Sequence, residues 1–186
     1  METNLILIDI ETTGLDPKNN LILEVAACNI KMTSEDLIYD KPIHFYVKND
    51  IVNITKSLNE YTLKMHRDNN LLYEIFENER NNNFSNTFDL NDTNCPLYSL
   101  IEENKNYYLC GNSVHFDKSF LKYHMPNFEN KFSHRILDLT SYLIMKYTFS
   151  PYEKKSSSHR ALDDVLKSLD ILKKMYIDIR HLEDLK

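Results

Sequence analysis

Glycine is nearly missing from this chain: its 186 residues include only Gly14 and Gly111. A GxGxxG or GxxxxGK loop needs several glycines to let the backbone wrap a phosphate, so both loop types are excluded. Cysteine is scarce too. Cys28, Cys95 and Cys110 are odd in number and lack the spacing of a metal site, which predicts a reduced, cytoplasmic protein rather than a disulfide framework. No run of about 18 apolar residues occurs, so no membrane span is expected. The opening stretch METNLILIDIETTG carries acids inside its apolar run and no small-residue cleavage site, unlike a signal peptide, and its Glu2 and missing arginine argue against a transit peptide. Basic residues are in deficit: 22 Lys+Arg stand against 28 Asp+Glu, for a net charge of −6 and a pI of about 5.6. Long duplex nucleic acid is held by many cationic side chains that neutralise phosphates. An acidic chain that handles nucleic acid is therefore expected to take short pieces, through a few local contacts and metal ions.

What is present suffices for a core. Apolar residues make up 42% of the chain, and a single domain over residues 1–186 is expected to bury about 70% of its unfolded surface. Asn4–Ile10 is almost continuously apolar, the pattern of a central strand covered on both faces. The segment TTGLDPKNN follows with turn chemistry. Leu21–Ile30, with a buried-looking Glu24, and Lys41–Val47 complete an expected meander of three strands. Helical spacing then appears over Leu58–His66 and Leu71–Glu79, and Asn78–Asn94 reads as an extended connection. Cys95–Glu103 reads as a short helix, Tyr107–Cys110 as a strand and His115–Tyr123 as a helix. A strand is expected near Ile136–Asp138, a helix over Leu139–Tyr147, a polar loop over Ser150–Ser158 and a terminal helix over Ala161–Ile179. This order predicts an α/β fold with a mixed five-stranded sheet flanked by helices.

Three sets of acids stand out. Asp9 and Glu11 are two apart at the end of the first strand, so both side chains point to one face. Such a pair is ordinarily solvent-exposed; here it follows an apolar run and marks where the sheet opens into a loop, a position where open α/β sheets bind ligands. On the terminal helix, Leu162, Val165, Leu169, Leu172 and Tyr176 form an apolar stripe, while Asp163, Lys167, Asp170 and Lys174 form the opposite face. Asp164 falls at the edge of the apolar stripe beside Ser168, Ile171 and Met175, so periodicity selects it over Asp163 as the inward acid. His159 lies five residues earlier; histidine is a side-chain type suited to a general base, although alone it reads as a surface histidine. Asp117 follows a strand and the turn Asn112–Ser113; alone it reads as a first-turn acid complementing the helix dipole.

Taken together, Asp9-Ile10-Glu11, Asp117 and His159…Asp164 resemble the DEDDh 3′–5′ exonucleases, which share a ribonuclease H-like fold. The similarity extends to the oligoribonuclease subfamily. It includes Glu11-Thr12-Thr13-Gly14-Leu15-Asp16-Pro17, Ile22-Leu23-Glu24-Val25-Ala26, Tyr61 with His66, Gly111-Asn112-Ser113, Met125-Pro126, Arg135 with Leu137-Asp138, and His159 to Asp164.

The resemblance implies that Asp9, Glu11, Asp117 and Asp164 hold two divalent ions, and hard oxygen ligands suit Mg²⁺ or Mn²⁺. Two ions about 3.5–4 Å apart clamp the attacking and leaving oxygens of a phosphodiester. His159 would deprotonate the attacking water, and the 3′-terminal nucleotide would leave as a 5′-monophosphate. Leu15 would wedge against the terminal bases, with the backbone of Thr12 and Thr13 near the 3′ end and Tyr61, where the subfamily has Trp, stacking on a base. His66, Ser113, Arg135 and Thr140 match positions around the far phosphate of a short RNA of two to about five nucleotides. The resemblance also implies a homodimer. Two positions depart from the pattern: His134 replaces a Tyr that reaches the neighbouring subunit's site, and Thr12 gives ETTG where EMTG is usual. Three functions stay open: an oligoribonuclease, a DEDDh exonuclease trimming or proofreading longer single-stranded DNA or RNA, and a nucleic-acid-binding module that has lost catalysis.

Overall fold

The computed structural model describes residues 2–149 and 158–183. Strand β1 (Thr3–Thr12) lies between two neighbours, antiparallel to β2 (Ile22–Met32) and parallel to β6 (Tyr107–Gly111). This central place is why its sequence is apolar on both faces. β4 (Ile43–Val47) extends the sheet beyond β2, and β7 (Phe132–Asp138) extends it beyond β6. Two short strands complete it: β3 (Leu37–Tyr39) on β2 and β5 (Thr87–Phe88) on β4. The described sheet thus has seven strands in the order β5-β4-β2-β1-β6-β7, with β3 off that path. The two strands beyond the expected five are three and two residues long, too short for a period to show in sequence.

Helices cover both faces. Ile6, Ile8 and Ile10 of β1 pack with Val25, Phe45 and Leu109 against Phe120 and Leu121 of α4 (His115–His124) and Phe128 of α5 (Pro126–Glu129). Leu5 and Leu7 pack with Ala26, Cys28 and Cys110 against Ala161, Val165, Leu169 and Leu172 of α7 (Ala161–Glu183). Odd-numbered residues of β1 therefore face α7. Asp9 and Glu11 continue that row, so the pleat alone aims them at the first turn of α7.

The remaining elements wall in the end of β1. The helix expected over Leu58–His66 is present from Glu60, and a short helix that the sequence did not signal precedes it. α1 (Ile51–Ser57) ends at Leu58, and α2 (Glu60–Asp68) starts after Asn59, whose side chain and that of Thr62 cap each other's backbone N–H. Within the expected connection Asn78–Asn94, α3 (Leu71–Arg80) persists to Arg80 and β5 pairs with β4. The expected helix over Cys95–Glu103 is a 3-10 turn at Pro96–Leu100. α6 (Leu139–Phe149) follows β7. The expected loop Ser150–Ser158 lies outside the described residues apart from Ser158. Gly111 ends β6 where a Cβ would stand 2.7 Å from the Ile8 carbonyl oxygen; only glycine lets β6 close on β1 there. Among the described residues, no helix is long and apolar enough to cross a membrane.

Candidate active site

Three segments distant in sequence bring their acids together. Carboxylate oxygens of Asp9, Glu11 and Asp164 all lie within 4.8 Å of one another. Glu11 is buried and Asp164 is only 15% exposed at its side chain, whereas Asp163 points outward. Asp117 arrives from the opposite layer, on α4, and is 4% exposed. The β1–β6 ladder has its last pair at Leu7 and Cys110, and beyond it the Ile10 N–H donates to Asp117 Oδ1 at 3.0 Å. A buried N–H needs a partner, and here the partner is an acid that also bears on Asp9.

The electrostatics record the crowding. Burial, then the charges of Asp117, Glu11 and Asp164, push the Asp9 carboxyl well above the ordinary range. Burial, followed by Glu24, Asp164 and Asp117, raises Glu11 to about 8, with Arg160 opposing. Burial raises Asp117 to about 8 against its own backbone hydrogen bonds. Buried like charges at this spacing are costly unless a cation offsets them. The donor set is all carboxylate oxygen, which fits a hard divalent cation such as Mg²⁺ or Mn²⁺; Asp9, Glu11 and Asp164 would hold it, with Asp117 behind.

Beside the acids opens a cavity of about 530 Å³, lined by Thr12, Gly14, Leu15, Tyr61, Thr62, Met65, Phe116 and His159 as well as Asp9, Glu11 and Asp164. Leu15 and Tyr61 are 81% and 71% exposed, so two large apolar groups stand at the mouth without packing into the core. The segments that carry them are tied together: Thr62 Oγ1 donates to the Thr13 carbonyl at 2.9 Å, and Thr13 Oγ1 accepts from the Leu21 N–H at 2.9 Å. His159 is exposed, adopts a left-handed φ of 51°, and its carbonyl accepts from the Asn69 side chain.

Other expected contacts lie elsewhere. His66 is fully buried, with Nε2 bonded to the Thr12 carbonyl at 2.8 Å; burial lowers its pKa. It supports Thr12, which lines the cavity, and does not itself line it. Ser113 and Thr140 meet at the ends of β6 and β7, with hydroxyl oxygens 3.2 Å apart. His134 and Arg135 are exposed on β7, and none of these four lines the cavity.

Two features escape sequence reasoning. Lys167, assigned to the solvent face, pairs with Asp164 Oδ1 at 2.9 Å. Glu24, fully buried, accepts from His44 Nε2 at 2.7 Å, Arg160 Nη2 at 3.0 Å and the Ala161 N–H at 2.9 Å. Arg160 also donates to Glu74 Oε2 at 2.6 Å. This network caps α7 where its first turn delivers Asp164; the buried-looking Glu24 was the only signal for it.

The sequence model of the RNase T family, described as exonuclease, matches residues 6–172. The oligoribonuclease of Pseudomonas syringae pv. tomato is 28% identical over 177 residues, covering 89% of this chain and 90% of the relative. That of Francisella tularensis subsp. novicida is 29% identical over 179 residues, covering 91% and 92%. Among solved structures, a zinc-bound complex of Escherichia coli exonuclease I with single-stranded DNA superposes with a TM-score of 0.61 at 14% identity, over 97% of this chain. A complex of the same enzyme with a dT13 oligonucleotide gives 0.58 at 15% identity, over 98% of this chain. The chain spans only 41% and 43% of those two exonuclease I chains, and the likeness gives the fold: a ribonuclease H-like α/β domain. With its acids gathered at the end of β1 and the family match running through nearly all its elements, the chain belongs to the RNase T exonuclease family and is a 3′–5′ exonuclease.

Proposed function

We propose that this exonuclease hydrolyses short oligoribonucleotides of two to about five residues to nucleoside 5′-monophosphates. The observation that carries this reading is the cavity itself: its mouth holds Leu15 and Tyr61, both largely exposed, and its far wall holds the acids. A cavity of about 530 Å³ falls within the usual range for a small ligand, about 300–1,000 Å³. Tyr61 stacks on a base and Leu15 wedges against the terminal pair, with the Thr12–Thr13 backbone beside the 3′ end. Asp9, Glu11, Asp117 and Asp164 hold two divalent ions. Divalent ions held there would supply Lewis-acid charge that offsets the charge developing on the phosphate and makes a nearby water more acidic. His159 takes a proton from that water at an imidazole nitrogen, exposed at the cavity edge where product and solvent exchange. Ser113, Arg135 and Thr140 meet the farther phosphate, while His66 fixes the Thr12 carbonyl from below.

Hydrolysis rates on labelled RNAs of two, five and twenty nucleotides test the length preference. The dimer and pentamer are cleaved faster; processive and faster digestion of the twenty-mer, or of a single-stranded DNA, supports the trimming or proofreading reading instead. Absence of any cleavage with Mn²⁺ leaves a binding module. A general base must lose its proton to act, so at saturating metal activity has a rising pH limb that depends on His159. His159→Ala lowers kcat by about 10²- to 10⁴-fold and removes that limb; an unchanged pH profile in the variant removes the base role.

We also propose a homodimer. Ile144, Met145 and Phe149 of α6 are 65%, 67% and 86% exposed, an apolar group of the kind that marks an interaction surface. A monomer by light scattering at working concentration contradicts it.

A further inference from the structure

Lys167 lies one turn beyond Asp164 on α7. Its Nζ is 2.9 Å from Asp164 Oδ1 and 3.3 Å from Ser158 Oγ. The side chains are 39% and 15% exposed, so the ammonium reaches the acid from the solvent edge of the cluster. Arg160 also bears on these acids, but its guanidinium is engaged by Glu24 and Glu74 at 3.0 and 2.6 Å. The Asp164 carboxylate thus serves two masters: it closes the three-acid group, and it is ion-paired to a lysine on its own helix.

A lysine ammonium is a compact point charge on a flexible stem, able to neutralise a carboxylate and to withdraw from it. A divalent cation seeks the same lone pairs. Even if Asp164 divided its two oxygens between them, a unit positive charge would stand beside a double one and repel it. We propose that Lys167 is a tethered competitor for divalent cations, neutralising Asp164 in the metal-free protein and setting the metal concentration at which the site fills. This depends on the reading of Asp9, Glu11 and Asp164 as metal ligands. The competition has a thermodynamic signature. Removing Lys167 takes one positive charge away from the acid cluster in the metal-free protein, which becomes less stable, but removes a repulsion in the metal-bound protein. A lysine with a purely structural role would affect both states alike.

Calorimetric titration of Mn²⁺ into the chelator-treated protein tests this, with K167M, K167Q and K167R compared to the wild type and D9N as control. K167M and K167Q bind Mn²⁺ about two- to fivefold more tightly, the scale of one partly exposed ion pair, and K167R stays near the wild type. In chelator, K167M melts below the wild type, and saturating Mn²⁺ closes the gap. Equal dissociation constants for the wild type, K167M and K167Q overturn the competition while leaving the metal site standing. Failure of the wild type to bind Mn²⁺, or binding by D9N as tight as that of the wild type, overturns the metal reading itself and the proposal with it.

Discussion

Asp164→Ala abolishes turnover, while Asp163→Ala leaves it within about twofold of the wild type. The two residues are adjacent, carry the same charge and occupy the same helical turn, so differences in propensity or net charge cannot separate them. Their directions do. Asp164 brings an oxygen within 4.8 Å of those of Asp9 and Glu11, and Asp163 is exposed. Loss of a ligand that organises a divalent centre removes several kcal/mol of transition-state stabilisation; about 4 kcal/mol is about a thousandfold in rate. Loss of an exposed acid stays within about 0.5 kcal/mol. Single-turnover rates on a labelled RNA dinucleotide at saturating Mn²⁺ measure both, and equal, near-total losses would mean that the helix face does not decide which acid acts.

Glu24→Gln produces the largest loss of stability. The carboxylate is fully buried and bonded to Arg160, His44 and the first N–H of α7. Removing one partner of a buried ion pair costs about 3–5 kcal/mol, but Arg160 keeps Glu74, so about 2–4 kcal/mol is expected, or about 6–12 °C in Tm for a chain of this size. Glu74→Gln, at a side chain 38% exposed, costs about 1 kcal/mol or less. The pH dependence has a definite sign. Burial would raise the Glu24 pKa, but its bonds from His44, Arg160 and Ala161 hold it below the ordinary 4.5. An acid with a depressed folded pKa stabilises above its unfolded value and loses that contribution as pH falls through the folded one. The gap between wild type and variant is therefore full above about pH 4.5 and closes below it, as thermal melts at pH 3 to 7 read out. An unchanged Tm at pH 7 would show that the network does not hold α7.

Much of this was legible in the amino-acid order, because two periodicities acted on apolar residues. Continuous apolarity placed β1 at the centre of the sheet, and the pleat set Asp9 and Glu11 on one face. The helical period distinguished Asp164 from Asp163 because a core stripe fixes a helix's rotation. The same reasoning missed Lys167: its Cα does lie on the polar side, but a long side chain can return one turn to an acid at the stripe's edge. Asp117 could not be told from a dipole-complementing acid, since its partner is the backbone N–H of Ile10, 107 residues away. α1 buries only Ile54, leaving no stripe to read. β7 is an edge strand with His134 and Arg135 exposed, so only Ile136–Asp138 carried a signal. His66 matched a family position, but its full burial against the Thr12 carbonyl was not legible, because burial depth is not written in a motif.

The central claim is that the acids at the end of β1 ionise together only when a divalent cation offsets their charge, and melting temperature against pH, in chelator and in Mg²⁺, tests it most directly. Glu11 and Asp117 are raised to about 8 from 4.5 and 3.8, so the folded state holds their protons more tightly than the unfolded state. These two groups therefore lower stability in chelator as pH rises from about 4 to about 8. Cation binding needs the ionised acids, so the Mg²⁺-induced gain in Tm grows through the same window and levels off above it. A gain that is absent, or constant from pH 5 to 9, would contradict the account.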